Sequence, residues 1–375
     1  MPGTSPAEWG RRLSDRIRLA LDASDLESAL RLAREGDGQA RSLGKEYALM
    51  YKGLGITVRV LLELLRERLP RDDAAGREPA KNALGDLLLR FRREMFALLT
   101  QAYTESAVRR AIPDIAESLG PPSGAGLDRH LAFTARLLGE AESLFSREQE
   151  SLAQEAVRAI GAGKADEARA LLDRKERDQY GPLHDRLVRF IAEVFGYVLE
   201  RFGAAELFRF HRAAAEGQRR GFEEWERLGP AEFAQATAFL LKQHMGTVEV
   251  REDEEKFTVE QTPCGSGGRL RLAGAYSGPD ALPFVEAPGP LTLGQDRFPV
   301  YCSHCPVWNG AAPIEWFGRP HWVFDDPSRP DGSCTLHIYK HADSVPADYY
   351  SRLGLAESDR RTSKDRPKPG SDASA

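Results

Sequence analysis

The sequence predicts an all-α N-terminal region, of one or more helical domains, followed by a small, β-rich α+β domain. Three observations carry that prediction. Apolar residues recur at spacings of three and four through residues 1–245. After His244 the period changes to alternation of apolar and polar residues. Between the alternating runs lie long Gly- and Pro-rich segments such as GPDALPFVEAPGP.

The helical expectation rests on segments such as ESALRLAREG, DLLLRFRREMFALLTQAY and DRLVRFIAEVFGYVLERFG, in which the spacing puts the apolar residues on one stripe. Gly and Pro clusters at 70–76, 120–126 and 161–163, and a softer one at Gly229 and Pro230, mark helix ends. Two stretches, about 13–125 and 126–245, read as candidate repeats. LLTQAYTESAVRRAI followed by LAFTARLLGEAE is echoed by VLERFGAAELFRFHRAAAE followed by FAQATAFLLKQH. The plainer explanation is that amphipathic helices resemble one another. Tyr47, Tyr51, His184, Tyr197, His211 and His244 lie on or near apolar stripes and are expected as packed core residues.

The second domain is expected over 246–355. TVEVRE, KFTVEQT, GRLRLAG, FPVYC, HWVFDD and SCTLHIYK all read as strands. Residues 356–375 hold no apolar residue except alanine and are expected to be disordered.

Charged residues make up 29% of the chain and the net charge is −5, with both signs interspersed, which argues against a nucleic-acid partner. The N-terminus has no apolar core of a secretory signal. The most apolar stretch, 56–65, is interrupted by Arg59 and Glu63 and is too short to cross a bilayer. A cytoplasmic protein with no membrane partner is expected. In a reducing compartment, grouped cysteines point to metal or catalysis more than to disulfides.

All the cysteines, Cys264, Cys302, Cys305 and Cys334, fall in the second domain, with His304, His321, His337 and His341 among or just beyond them. YCSHCP is a C-x2-C pair, whose two-residue gap lets both thiolates turn toward one ion. Read as strands, FPVYC aligns Cys302 with Phe298 and Val300, and CTLHIYK aligns Cys334 with Leu336 and Ile338, leaving His337 on the other side. An all-thiolate site of Cys264, Cys302, Cys305 and Cys334 follows. Zinc is the natural occupant, and iron takes the same ligands. Four thiols packed as small hydrophobes are the alternative.

In PCGSGGRL the glycines either free Cys264 to face a metal or form an anion-binding turn beside a nucleophilic Cys264. PIEWFGRPHWVFDD offers Glu315 and His321 as acid or base, with His337 a further candidate. Its tryptophans wall a small-molecule pocket or form the core of a small domain. No HExxH, phosphate-binding loop or dinucleotide fingerprint occurs.

FTVEQTPC, VYCSHCP and CTLHIYK together resemble the L-2-amino-thiazoline-4-carboxylic acid hydrolase-like family. That resemblance covers about a hundred residues. It implies hydrolytic opening of a small ring containing sulfur and nitrogen, with Cys264, Cys302 or Cys305, and Cys334 as site residues. The segment EARALLDRKERDQYGPLHDRLVRFIAEVFGYVLERFG is similar to segments of bacterial proteins carrying this kind of C-terminal domain. Two functions stay open. One is a hydrolase of C–N bonds acting on a small molecule through the cysteine cluster and its metal. The other is a ligand-binding, sensor or interaction protein whose closed four-cysteine zinc site is structural.

Overall fold

The computed structural model describes residues 5–40, 42–68, 78–113, 119 and 126–356. The expected disordered tail therefore lies outside the described residues, apart from Ala356. Helices dominate up to Lys242 and a small antiparallel sheet begins at Val248, as the change of period predicts. Compactness follows a different division. Among the described residues, one unit comprises Arg11–Tyr197 and Phe239–Gly246, and the second gathers residues 5–10, Val198–Ala238 and residues 247–356. A part of the helical chain before residue 245, Val198–Ala238, thus belongs with the sheet.

The first unit is built around the helix Leu127–Gly161, against which Leu26–Glu35, Ala48–Arg68, Glu78–Ala102 and Ala165–Asp173 pack. Its apolar stripe buries Leu137, Leu138, Leu144, Phe145, Leu152 and Ile160, each contributing about 1.5–3 kcal/mol if it is large and fully removed from water. The segment ends near Gly163, whose φ of +73° is readily adopted by glycine alone. Asp25 and Thr104 cap their helices by accepting from Ser28 N and Ala107 N.

After Asp173 the chain widens into a π-helical segment, Arg174–Tyr180, that turns Lys175, Glu176, Gln179 and Tyr180 inward. Lys175 Nζ lies 3.3 Å from Glu46 Oε2 and 4.2 Å from the Tyr47 ring centroid. The Ser14 hydroxyl donates to Glu46, and the Tyr47 hydroxyl donates to Glu176. Arg18 donates to Glu176 at 2.5 Å. Burial lowers the Lys175 pKa and the Glu46 carboxylate opposes that fall. Tyr47 and Tyr180 stack with centroids 4.2 Å apart, as expected of core residues.

In the second unit the sheet order is β1 (Val248–Glu252), β2 (Lys256–Gln261), β6 (Cys334–Tyr339), β5 (Val323–Phe324), all antiparallel. Val250 opposes Val259, Val259 opposes Leu336, and Phe257 opposes Ile338, so alternation delivers one apolar face. β3 (Phe284–Val285) and β4 (Phe298–Pro299) form a separate pair. The N-terminal helix Pro6–Trp9 joins this unit: Trp9 meets Phe257 with ring centroids 5.8 Å apart. A Cβ at Gly10 would stand 1.9 Å from Val248 O, so only glycine lets the chain pass there.

One expected strand is absent and another is cut short. RLRL lies in a helix, Gly267–Leu272, in which Leu270 is buried and Leu272 is exposed. Gly267 and Gly268 permit the close approach that starts it: a Cβ on Gly268 would come 2.1 Å from Gly332 O. FPVYC is a strand only at Phe298 and Pro299, and it then closes into a 3₁₀ turn, Val300–Ser303. Pro299 has no N–H to extend a ladder, and Ser303 Oγ bonds back to Val300 O at 2.6 Å. Cys302 is therefore buried by a turn and not by strand alternation. Cys334 does open β6 and is buried beside Leu336 and Ile338, while His337 is only half-buried.

Candidate functional site: a thiol cluster with an unpaired guanidinium edge

The four cysteines are free thiols; Cys302 and Cys334 are buried, and Cys264 and Cys305 are half-buried. Three elements bring them together. The backbone N–H of Cys264 donates to Gly332 O at 2.9 Å, which ties the PCGSGG turn to the approach of β6. In the β2–β6 register Gln261 opposes Cys334. Gly267 lets the Cys302 sulfur come close, since a Cβ there would lie 2.8 Å from it. Each thiol is near enough to the other three for their charges to interact.

Burial pushes the Cys302 pKa up to about 11, with the Arg271 guanidinium pulling the other way. Burial and the neighbouring thiols raise Cys305 and Cys334 well above the ordinary range. At neutral pH all three are protonated. Among the described residues no three Cys, His, Asp or Glu side chains are arranged to hold one metal ion.

Arg271 supplies the cation beside these thiols. It is half-buried on the helix Gly267–Leu272, and its Nη1 donates to Cys302 Sγ at 3.3 Å. Its Nε and Nη2 are buried and have no hydrogen-bond partner. Those two N–H groups form one edge of the planar guanidinium, the edge that grips a carboxylate or phosphate with two parallel bonds. A charged donor pair left unsatisfied inside a protein is costly, at about 1–3 kcal/mol or more. The Tyr301 hydroxyl is hydrogen-bonded to Ser266, and Tyr276 OH accepts from Tyr301 N at 3.2 Å, closing the wall around the turn.

No protein-family model, no curated protein and no solved structure matches this chain.

The other sequence-derived candidates have partners of their own. Glu315 is largely exposed and ion-paired with Arg212. His321 is buried against Phe222, Phe233 and Phe317, with Nε2 3.2 Å from Glu226 Oε2. Glu226 also receives two bonds from Arg319, at 3.2 and 3.1 Å. His337 Nδ1 lies 3.1 Å from Thr258 Oγ1 on the adjacent strand. Of the tryptophans of this region, Trp322 is buried with Nε1 on Thr237 Oγ1 at 3.1 Å, whereas Trp308 and Trp316 are half-buried, Trp316 against Phe222.

Sequence reasoning did not single out Arg271, because RLRL reads as a solvated strand face. The signal available was GG immediately before it, which opens a helix as readily as a strand turn. His304 was visible between Cys302 and Cys305. Its ring sits against a thiol, with Nε2 3.6 Å from Cys305 Sγ.

Among the described residues no helix is long and apolar enough to cross a membrane.

Proposed function

We propose that the second unit is a thiol-dependent hydrolase of C–N bonds in a small carboxylate-bearing molecule held by Arg271. The observation that carries this reading is the buried, unpartnered Nε and Nη2 edge of Arg271, whose Nη1 bonds to the Cys302 thiol. A carboxylate satisfies both N–H groups at once and neutralises the cation, and a lone hydroxyl or amide does neither. The thiols give the site its nucleophiles. The resemblance to the aminothiazoline carboxylate hydrolase-like family points to the same chemistry, a small ring with sulfur, nitrogen and a carboxylate.

The test is binding before turnover. Small carboxylates, inorganic phosphate and neutral amides would be titrated against the full chain, with tryptophan fluorescence and thermal unfolding as readouts. A saturable stabilisation by carboxylates is expected in the wild type. It should be lost in Arg271→Met and strongly weakened in Arg271→Lys, which keeps the charge but not the two-pronged edge. Equal response of wild type and Arg271→Met would sink the reading. A screen with 2-aminothiazoline carboxylates, following release of an amine or of ammonia, then tests hydrolysis of the C–N bond.

The second reading is a closed four-thiolate zinc site in a non-enzymatic sensor or interaction module. The gathering of all four thiols favours it, and the absence of a ligand arrangement among the described residues weighs against it. Elemental analysis separates the two. One zinc per chain, lost in Cys302→Ser, would establish the structural site.

A further inference from the structure

The buried face of β2 reads Phe257, Val259, Gln261. The first two bury carbon opposite Ile338 and Leu336 of β6, and the third puts a carboxamide at the inward position opposite Cys334. Directly paired residues of an antiparallel ladder project to one face with Cβ atoms about 4.5–5.5 Å apart, so the Gln261 and Cys334 side chains are neighbours. Cys334 in turn is near enough to Cys264, Cys302 and Arg271 for their charges to act on it. Gln261 therefore stands at the end of the sheet that meets the thiol cluster. The chain after it is held by hydrogen bonds from Thr262 N to Thr247 O at 3.0 Å and from Cys264 N to Gly332 O at 2.9 Å. Gln261 is 2% exposed, and its Oε1 accepts from no donor of the protein, the neighbouring Cys334 thiol included. A buried amide oxygen without a donor is unfavourable, and a leucine or methionine at this position would continue the apolar face without that cost. Such a group calls for a partner from outside the chain.

We infer that Gln261 is a specificity-determining residue of this site, its carboxamide oxygen accepting an N–H of the ligand whose carboxylate Arg271 holds. The inference rests on the carboxylate reading of Arg271 above and adds to it a second contact of opposite polarity. Arg271 offers two donors and a positive charge, and Gln261 offers an acceptor without charge. A molecule that answers both carries a carboxylate at one end and an amine, amide or ring N–H at the other. A plain carboxylate satisfies Arg271 and leaves the Gln261 oxygen without a donor. A ring or ester oxygen brought to the same place sets two acceptors face to face. The site thus sorts small carboxylates by the presence of a donor more than by size, because the wrong ligand leaves a buried polar group unpaired. Gln261 binds and selects; no bond of the substrate is made or broken through it.

The experiment uses matched probes. Pyrrole-2-carboxylate and furan-2-carboxylate share shape and charge and differ in an N–H against a ring oxygen; the two 3-carboxylates repeat the comparison at a second spacing. All are titrated calorimetrically against the full chain of wild type, Gln261→Met, Gln261→Leu and Arg271→Met. In the wild type at least one pyrrole isomer should bind about tenfold or more tighter than its furan counterpart. That ratio should fall to within about twofold in Gln261→Met and Gln261→Leu. Without ligand, Gln261→Met should unfold at the wild-type temperature or above it, because the substitution removes an unpaired buried oxygen and keeps the length of the side chain. A ratio near one in the wild type, or a ratio kept in both Gln261 variants, overturns the inference. So does a Gln261→Met protein that unfolds more than about 5 °C lower, since the carboxamide would then be a structural part of the sheet. The wild-type ratio decides even where a variant fails to fold. A ratio near one, with binding that Arg271→Met abolishes, defeats the Gln261 inference alone. Failure of every probe to bind, or binding that Arg271→Met leaves unchanged, defeats the carboxylate reading and this inference with it.

Discussion

Replacing Glu226 by Gln removes one negative charge from a well-packed ion pair and leaves the shape almost unchanged. Burial on its own would raise the Glu226 pKa, but the hydrogen bond from His321 and the guanidinium of Arg319 outweigh it and bring the carboxyl from 4.5 to about 2. At about 1.4 kcal/mol per pH unit, that displacement corresponds to about 3 kcal/mol of stabilisation of the folded state. The side chains of Glu226 and Arg319 are only 16% and 15% exposed, so solvent screens little of it. Because the folded carboxyl titrates below the unfolded one, the stabilisation is complete above about pH 4.5 and is lost as pH falls toward 2. Glu226→Gln should therefore cost about 2–3 kcal/mol at pH 7 and less than about half of that at pH 3. Urea unfolding followed by tryptophan emission reads this unit selectively, since Trp9, Trp225, Trp308, Trp316 and Trp322 all belong to it. A variant within about 0.5 kcal/mol of wild type at pH 7, or an equal difference at both pH values, would refute the reasoning.

Two further perturbations probe the scaffold. Gly268→Ala places a Cβ 2.1 Å from the Gly332 carbonyl, a backbone atom that cannot swing away. It should cost more than about 2 kcal/mol by the same fluorescence assay, because overpacking here forces a backbone shift. Lys175→Met strands the buried Glu46 carboxylate and should cost about 3–5 kcal/mol, read by far-UV circular dichroism. The double variant with Glu46→Gln should recover much of that loss, and failure to recover would show that the pair is not what holds the two elements.

The helical stripes, the change of period near residue 246 and the strands β1, β2 and β6 were all legible, because each depends on side chains close in sequence. Burial of Cys334 on β6 followed from alternation alone. Cys302 was expected to be buried for the wrong reason: a strand was read through Pro299, where the missing N–H ends the ladder and Ser303 closes a turn. RLRL alternates like a strand, yet it is helical because no neighbouring strand offers it a ladder and Gly268 seats it against Gly332. Glu315 and His321 are acids and bases by type, but Arg212 and Glu226 engage them, and those partners lie far away in the chain.

The sequence by itself determined which residue types this protein has for chemistry and which segments prefer helix or strand. Those follow from local sterics and from apolar periodicity. Tertiary structure decided which of them meet. It placed the helices of Val198–Ala238 and the N-terminal Trp9 with the sheet, gathered four thiols from three separate segments, and left two N–H groups of Arg271 buried beside them without a partner. An unsatisfied donor is invisible in a sequence, because it is a property of what surrounds a group in space and not of the group itself.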